Sequence, residues 1–153
     1  MTLYLVRHAK AGSRNDWHGD DALRPLSKSG WKQANAIGRR LAKRSPSALV
    51  TSPYLRCHQT LEPLAALTDL DIAIDERLME GTDFEPVLEL IDELPDGSVL
   101  CSHGDIVPAA LAAIERRGCV ITTPADWRKG TIWRIERSAG GEFTTAAVWG
   151  PPD

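Results

Sequence analysis

The 153-residue chain is 42% hydrophobic and 25% charged, with 18 basic and 21 acidic side chains and a net charge of -3. That balance leaves no electrostatic footprint for a nucleic acid polymer, and no apolar run is long enough to cross a bilayer. Length and composition fit one domain over residues 1–153 with its own core.

The chain opens on an apolar run, Leu3-Tyr4-Leu5-Val6, that ends in Arg7-His8 and then breaks at Gly12, Ser13 and Asn15. The run has the length and composition of a buried strand. It should therefore deliver a guanidinium and an imidazole to a sheet edge, where ligands bind in open α/β sheets. A polar loop follows, from about Ala11 to Pro25, holding Lys10 and Arg14, Trp17, His18, Asp20, Asp21 and Arg24 at or within its ends. Ser27 reads as the N-cap of a helix running to about Arg44, with Ala34, Ile37 and Leu41 inward. The late cations Arg39, Arg40, Lys43 and Arg44 suit the negative end of its dipole. Ala48 to Thr51 is a short strand. Ser52 is expected to cap a helix that starts near Tyr54, with Pro53 in its first turn and Pro63 kinking or ending it. Arg56 then lies in the opening turn of that helix, a second anion-binding feature. Cys57 and His58 are read as bland surface or core residues.

Ile72 and Ile74 mark an edge strand, and Glu76 to Gly81 a connection rich in carboxylates. A helix from about Phe84 to Leu94 and a central strand from Ser98 to Cys101 come next. Ser102-His103-Gly104-Asp105 leads into another helix, with Pro108 in its first turn, which Gly118 ends. His103 thus reaches the same sheet edge as His8. Gly130 to Ile135 and Phe143 to Trp149 read as a hairpin turning at Gly140-Gly141. Lys129 lies just before it, within reach of an anion, and is assigned no role. Trp133 and Trp149 fall on strands and should pack, whereas Trp17 and Trp127 fall in loops. The alternation of strands and helices predicts an α/β fold: a mostly parallel central sheet, helices on both faces and a C-terminal hairpin. No charged leader precedes the first strand, so no signal peptide is expected. Cys57, Cys101 and Cys119 are odd in number and widely spaced, which suits a reduced, cytoplasmic protein.

Four segments, in order, resemble the histidine phosphatase (phosphoglycerate-mutase-like) superfamily. They are Leu5-Val6-Arg7-His8-Ala9, Leu26-Ser27-x-x-Gly30-x-x-Gln33-Ala34, Thr51-Ser52-Pro53-x-x-Arg56-x-x-Gln59-Thr60 and Ser102-His103-Gly104. The resemblance implies that His8 is a nucleophile that becomes phosphohistidine, that Arg7, Arg56 and His103 grip the phosphoryl oxygens, and that Glu80 protonates the leaving oxygen. Elementary chemistry agrees, because clustered cations stabilise the charge on a transferring phosphoryl group. A neutral imidazole is available as nucleophile near neutral pH. Acid catalysis by Glu80 requires a raised pKa, which an anion beside it supplies, and neighbouring Glu76 and Asp83 compete for the role. Ala9 stands where the family has glycine, so the turn carries an added methyl. Lys10 and Ser13 are candidate phosphate contacts in place of the family's asparagine. Arg7 to Arg14, Trp17 to Leu26 and Cys101 to Asp105 look like the phosphatase half of bacterial Nudix–phosphatase fusions, and the size resembles small SixA-type phosphohistidine phosphatases.

The expected activity is hydrolysis of a phosphomonoester, a nucleotide phosphate or a protein phosphohistidine, with no cofactor and no metal. The partner is then a phosphorylated small molecule, nucleotides included, or a phosphohistidine protein, and neither a nucleic acid polymer nor a membrane. Two other readings compete. His8, His103, Asp105 and Glu80 could hold zinc, but paired cysteines and H-x-x-x-H spacing are absent and nearby arginines repel a dication. A catalytically inactive phosphate- or nucleotide-binding module would keep the site without turnover. A P-loop is excluded by the missing glycine–lysine motif.

Overall fold

The computed structural model describes residues 1–152. Among them, seven strands form one sheet: β1 (Thr2–Arg7), β2 (Ala48–Thr51), β3 (Ile72–Ile74), β4 (Ser98–Ser102), β5 (Val120–Ile121), β6 (Ile132–Arg137) and β7 (Phe143–Trp149). Four α-helices connect them: α1 (Lys28–Ala42), α2 (Leu55–Thr68), α3 (Phe84–Glu93) and α4 (Ile106–Arg116). The strand order is β3-β2-β4-β1-β6-β7-β5. β1, β4, β2 and β3 are mutually parallel neighbours, β6 runs antiparallel to β1 and β7, and β5 joins β7 in parallel. None of the described helices is long and apolar enough to cross a membrane.

β1 and β4 are buried on both faces, as strands in the middle of a parallel sheet must be. Period-two alternation splits their side chains between two cores. Leu3, Leu5 and Leu100 face α3 and α4, against Leu88, Ile91, Leu111 and Ile114. Tyr4, Val6, Val99 and Cys101 face α1 and α2, against Ile37, Leu41, Leu61 and Leu64. Register places Arg7 opposite Ser102 and Thr51 opposite Cys101, so β1, β2 and β4 finish along one carboxyl edge.

Several expectations need correction. α1 stops at Ala42 because Ser45 takes a positive φ of 51° and the backbone tightens around it. α2 starts at Leu55 after Tyr54, with no side-chain cap. Ser52 is therefore not its N-cap, although its hydroxyl accepts from the Tyr54 N–H at 3.3 Å; the same hydroxyl lies 2.8 Å from His103 Nε2. Pro63 does not end α2, which runs on to Thr68. Its ring side packs on Gly38 of α1, where even a Cβ would lie 3.2 Å from it. β5 has no signature beyond two residues and takes its place only by pairing with β7. The hairpin begins at Ile132 because Gly130, at φ 85°, directs its N–H back to the carbonyls of Arg7 and His8. Arg40 lies 3.8 Å over the Trp149 ring, so it packs as well as complementing the helix end. The loop residue Trp127 stacks on the buried Trp133 with centroids 4.9 Å apart.

Candidate active site

The chain leaves β1 through His8 and Ala9, and the backbone N–H groups of His8, Ala9 and Lys10 are all tied down. His8 N–H donates to the Ser102 carbonyl at 3.0 Å. Ala9 N–H donates to Thr60 Oγ1 at 3.0 Å, and that hydroxyl donates onward to the Arg56 carbonyl at 2.7 Å. Lys10 N–H donates to Gln33 Oε1 at 3.0 Å, and the Lys10 carbonyl accepts from Ser27 N–H and Oγ. α1 comes so close that a Cβ on Gly30 would lie 1.8 Å from the Lys10 carbonyl oxygen. Gln59 Oε1 accepts from Leu26 N–H at 2.8 Å and holds the far end of the loop. The Ala9 methyl is fully buried against Leu26 and Ala34, so the turn accommodates it.

This frame fixes the His8 ring. His8 Nδ1 is 2.7 Å from the Ala9 carbonyl oxygen. A carbonyl only accepts, so Nδ1 carries the proton and Nε2 keeps a free lone pair. Burial pushes the imidazole down from its ordinary 6.5 to about 3; the Ala9 bond opposes that, while His103, Arg56 and Arg7 reinforce it. The ring is therefore neutral at physiological pH. His103 stands edge-on with centroids 5.6 Å apart. It is fully buried, held by Ser52, by the Tyr54 ring at 4.8 Å and by Cys57 Sγ 3.6 Å from Nε2. Cys57 thus braces His103 and is more than a bland core residue.

Arg56 is fully buried. Its NH1 donates to the Asp21 carbonyl at 2.9 Å, and NH2 lies 3.1 Å from Asp21 Oδ2 and 3.6 Å from Glu80 Oε2. Arg7 donates from NH1 to the Trp127 carbonyl, while its buried Nε has no hydrogen-bond partner among the described residues. Burial lowers the Arg7 guanidinium below its usual range and Asp105 opposes the shift. Gly104 leaves room for it: a Cβ there would lie 2.5 Å from Arg7 Cζ. Glu80 also pairs with Arg14 at 3.5 Å. Its segment is anchored at both ends, by Ser102 Oγ donating to the Leu78 carbonyl and by Gly81 N–H donating to Asp105 Oδ2.

A cleft of about 300 Å³ is lined by Arg7, His8, Ser13, Glu80, Gly104 and Asp105, together with Arg14, Arg24 and Lys129. Glu76 and Asp83 do not line it; Asp83 instead precedes α3 as its N-cap residue. Lys10 does not line it either and faces a neighbouring cavity, and the fully buried Arg56 and His103 are not part of its lining. The sequence places Arg14 and Arg24 in the polar loop after β1 and assigns neither a role of its own. Arg24 is buried because residues 11–26 fold back on themselves, with Gly12 N–H on the Pro25 carbonyl, and its guanidinium bonds the Gly12 carbonyl and Asp21. Burial works to raise the Asp21 carboxyl, but hydrogen bonds from Arg24 and Arg56 outweigh it and hold that carboxyl below its usual range. No group of three or more His, Cys, Asp or Glu able to hold a metal ion occurs among the described residues. A neutral imidazole in one cleft with the guanidiniums of Arg7, Arg14 and Arg24 suits a tetrahedral oxyanion that accepts a nucleophile.

A family model described as Histidine phosphatase superfamily (branch 1) matches residues 3–85. An 8-oxo-(d)GTP phosphatase of Mycolicibacterium smegmatis is 34% identical over 158 residues, covering 99% of this chain and 49% of that protein. The chain spans about half the length, or less, of the first curated relatives it matches. Among solved structures, the protein histidine phosphatase SixA complexed with tungstate superposes with a TM-score of 0.74 at 19% identity, covering 99% of this chain and 96% of that one. Bacillus stearothermophilus YhfR superposes with a TM-score of 0.75 at 20% identity, covering 93% of each chain.

Proposed function

This chain belongs to the histidine phosphatase superfamily, and from that premise we propose that it is a metal-independent phosphatase working through a phosphohistidine on His8. The carrying observation is the His8 ring itself: its one proton is given to the Ala9 carbonyl at 2.7 Å, which leaves Nε2 unprotonated beside the cationic cleft. Nε2 attacks phosphorus while Arg7, Arg56 and His103 hold the equatorial oxygens, and the bond to the leaving oxygen breaks. Glu80, on the rim of the same cleft, gives that oxygen a proton and then takes one from the water that hydrolyses the phosphohistidine. Ser13 contributes a hydroxyl to the phosphate, and Lys10 acts from outside the cleft. Phosphate-first recognition admits a phosphomonoester, a nucleotide phosphate or a protein phosphohistidine. The Mycolicibacterium relative, named for a nucleotide substrate, supports the second. Residues 1–153 act as one phosphatase domain, and the three free, buried cysteines support a reducing, cytoplasmic setting.

Hydrolysis of p-nitrophenyl phosphate by wild type and His8→Ala, with and without EDTA, tests the reading. EDTA-resistant turnover that disappears in His8→Ala is expected. Loss of turnover with EDTA would point to a metal enzyme, and a wild type that binds phosphate without turnover would be an inactive binding module.

A further inference from the structure

The carboxyl end of β1 is clasped by residues 127–131, the stretch that leads into β6. Arg7 N–H donates to the Thr131 carbonyl at 3.1 Å, and Gly130 N–H donates to the carbonyls of Arg7 and His8, 3.1 Å from each. Those bonds fix the Arg7 backbone, whereas its side chain is held differently. The guanidinium donates from NH1 to the Trp127 carbonyl, its one hydrogen bond among the described residues, and the buried Nε has none. On its other side it lies against Gly104, where a Cβ would be 2.5 Å from Cζ. Its direction therefore depends on where the Trp127 carbonyl sits. Residues 122–129 form neither helix nor strand, so no ladder of hydrogen bonds fixes that carbonyl. At the ends of the stretch, Thr122 N–H donates to the Ala146 carbonyl at 2.9 Å, and the Arg128 carbonyl accepts from Thr131 Oγ1 at 2.7 Å. Between them the half-buried Trp127 ring stacks on Trp133, with centroids 4.9 Å apart and planes 25° from parallel. Trp133 is fully buried on β6 and lies opposite Leu5 of β1, two residues before Arg7. The stack thus ties the Trp127 carbonyl to the same strand pair that carries Arg7.

We propose that Trp127 is a positioning residue for Arg7: its stacked ring fixes the carbonyl that aims the guanidinium at the phosphoryl oxygens beside His8. The inference rests on the phosphatase reading of His8 and adds a residue to that site. Trp127 does not line the cleft, so it acts through Arg7 and not on substrate. The ring and the carbonyl belong to one residue, and an indole turns about only two side-chain bonds. A ring that loses its stack therefore carries the carbonyl with it. A guanidinium displaced by about 1 Å no longer meets the oxygens on which charge gathers in the transition state, and such preorganised contacts govern kcat more than KM.

The test is a double-mutant cycle on p-nitrophenyl phosphate hydrolysis, with Trp127→Ala, Arg7→Ala and the two together, and with Trp127→Phe as the conservative variant. Trp127→Ala should lower kcat about tenfold and change KM by less than about threefold. Trp127→Phe keeps a flat ring on Trp133 and should recover kcat to within about threefold of wild type. In the Arg7→Ala background, Trp127→Ala should cost less than about twofold more, because its effect passes through a guanidinium already removed. Equal losses in both backgrounds, an unchanged kcat in Trp127→Ala, or no recovery in Trp127→Phe would overturn the proposal. Melting temperature checks each variant. If Trp127→Ala does not fold, Trp127→Leu, which fills the space without a stack, takes its place in the cycle. If wild type hydrolyses no ester, the phosphatase reading fails by itself, and calorimetry with tungstate decides the role of Trp127. Binding weakened in Trp127→Ala, restored in Trp127→Phe and insensitive to Trp127 in the Arg7→Ala background supports it. Binding that is equal in every variant, or absent, overturns it.

Discussion

His8 gives its single ring proton to the Ala9 carbonyl at 2.7 Å, the next residue along the chain. The tautomer is thus set by local backbone geometry and not by a carboxylate partner. Burial holds the ring near pKa 3 against about 6.5 when unfolded. Between those values the unfolded chain binds a proton that the folded chain does not. This share of stability is therefore present above about pH 6.5 and is lost as pH falls towards 3, by at most about 1.4 kcal/mol per pH unit. Urea unfolding at pH 7 and pH 5 should show a smaller acid loss in His8→Asn than in wild type, and equal losses would contradict the assignment. Nitrogen NMR of the ring should show no titration at pH 6 to 7. Gly104 makes a second residue-scale prediction. In Gly104→Ala the new methyl meets the Arg7 guanidinium, the movable end of a side chain. Turnover should fall about tenfold or more while stability drops by only about 1–2 kcal/mol; kinetics and denaturation on the same preparation check this.

At the scale of elements, the turn after β1 is held by the first two turns of α1 and by the second turn of α2. Gly30, Gln33, Gln59 and Thr60 all serve this turn. Gly30→Ala is a harsher change than Gly104→Ala, because the obstructing atom is a backbone carbonyl 1.8 Å away. It should cost about 2–3 kcal/mol and reduce turnover together with stability, whereas an unchanged melting temperature would show that the approach is not so close. Helix and strand positions were legible in the sequence because the apolar period reports them. The second engagement of Ser52 was not: its local bond to the Tyr54 N–H is what a serine before proline suggests, and only the long-range approach of His103 adds the other partner. The continuation of α2 past Pro63 was equally hidden, since tertiary packing on Gly38 outweighs the local rule.

Across the whole molecule, one carboxyl edge gathers Arg7 and His8 from β1, Arg56 from α2, and His103 from the turn after β4. This gathering was readable, because each group follows a strand and parallel strands end together. Arg14, Arg24 and Asp21 were not readable as site residues, because nothing local shows that residues 11–26 fold back over the cleft. Likewise, that Ser13 lines the cleft of His8 and Lys10 does not depends on a side-chain direction that spacing does not encode. The central claim is that His8 Nε2 carries the phosphoryl group. Mixing enzyme with excess p-nitrophenyl phosphate, quenching in alkali within milliseconds and sequencing the peptides by mass spectrometry tests it directly. An acid-labile, alkali-stable phosphate on His8, absent in His8→Ala, is expected. Burst-free turnover with no phosphate on His8, or label on another residue, would contradict it.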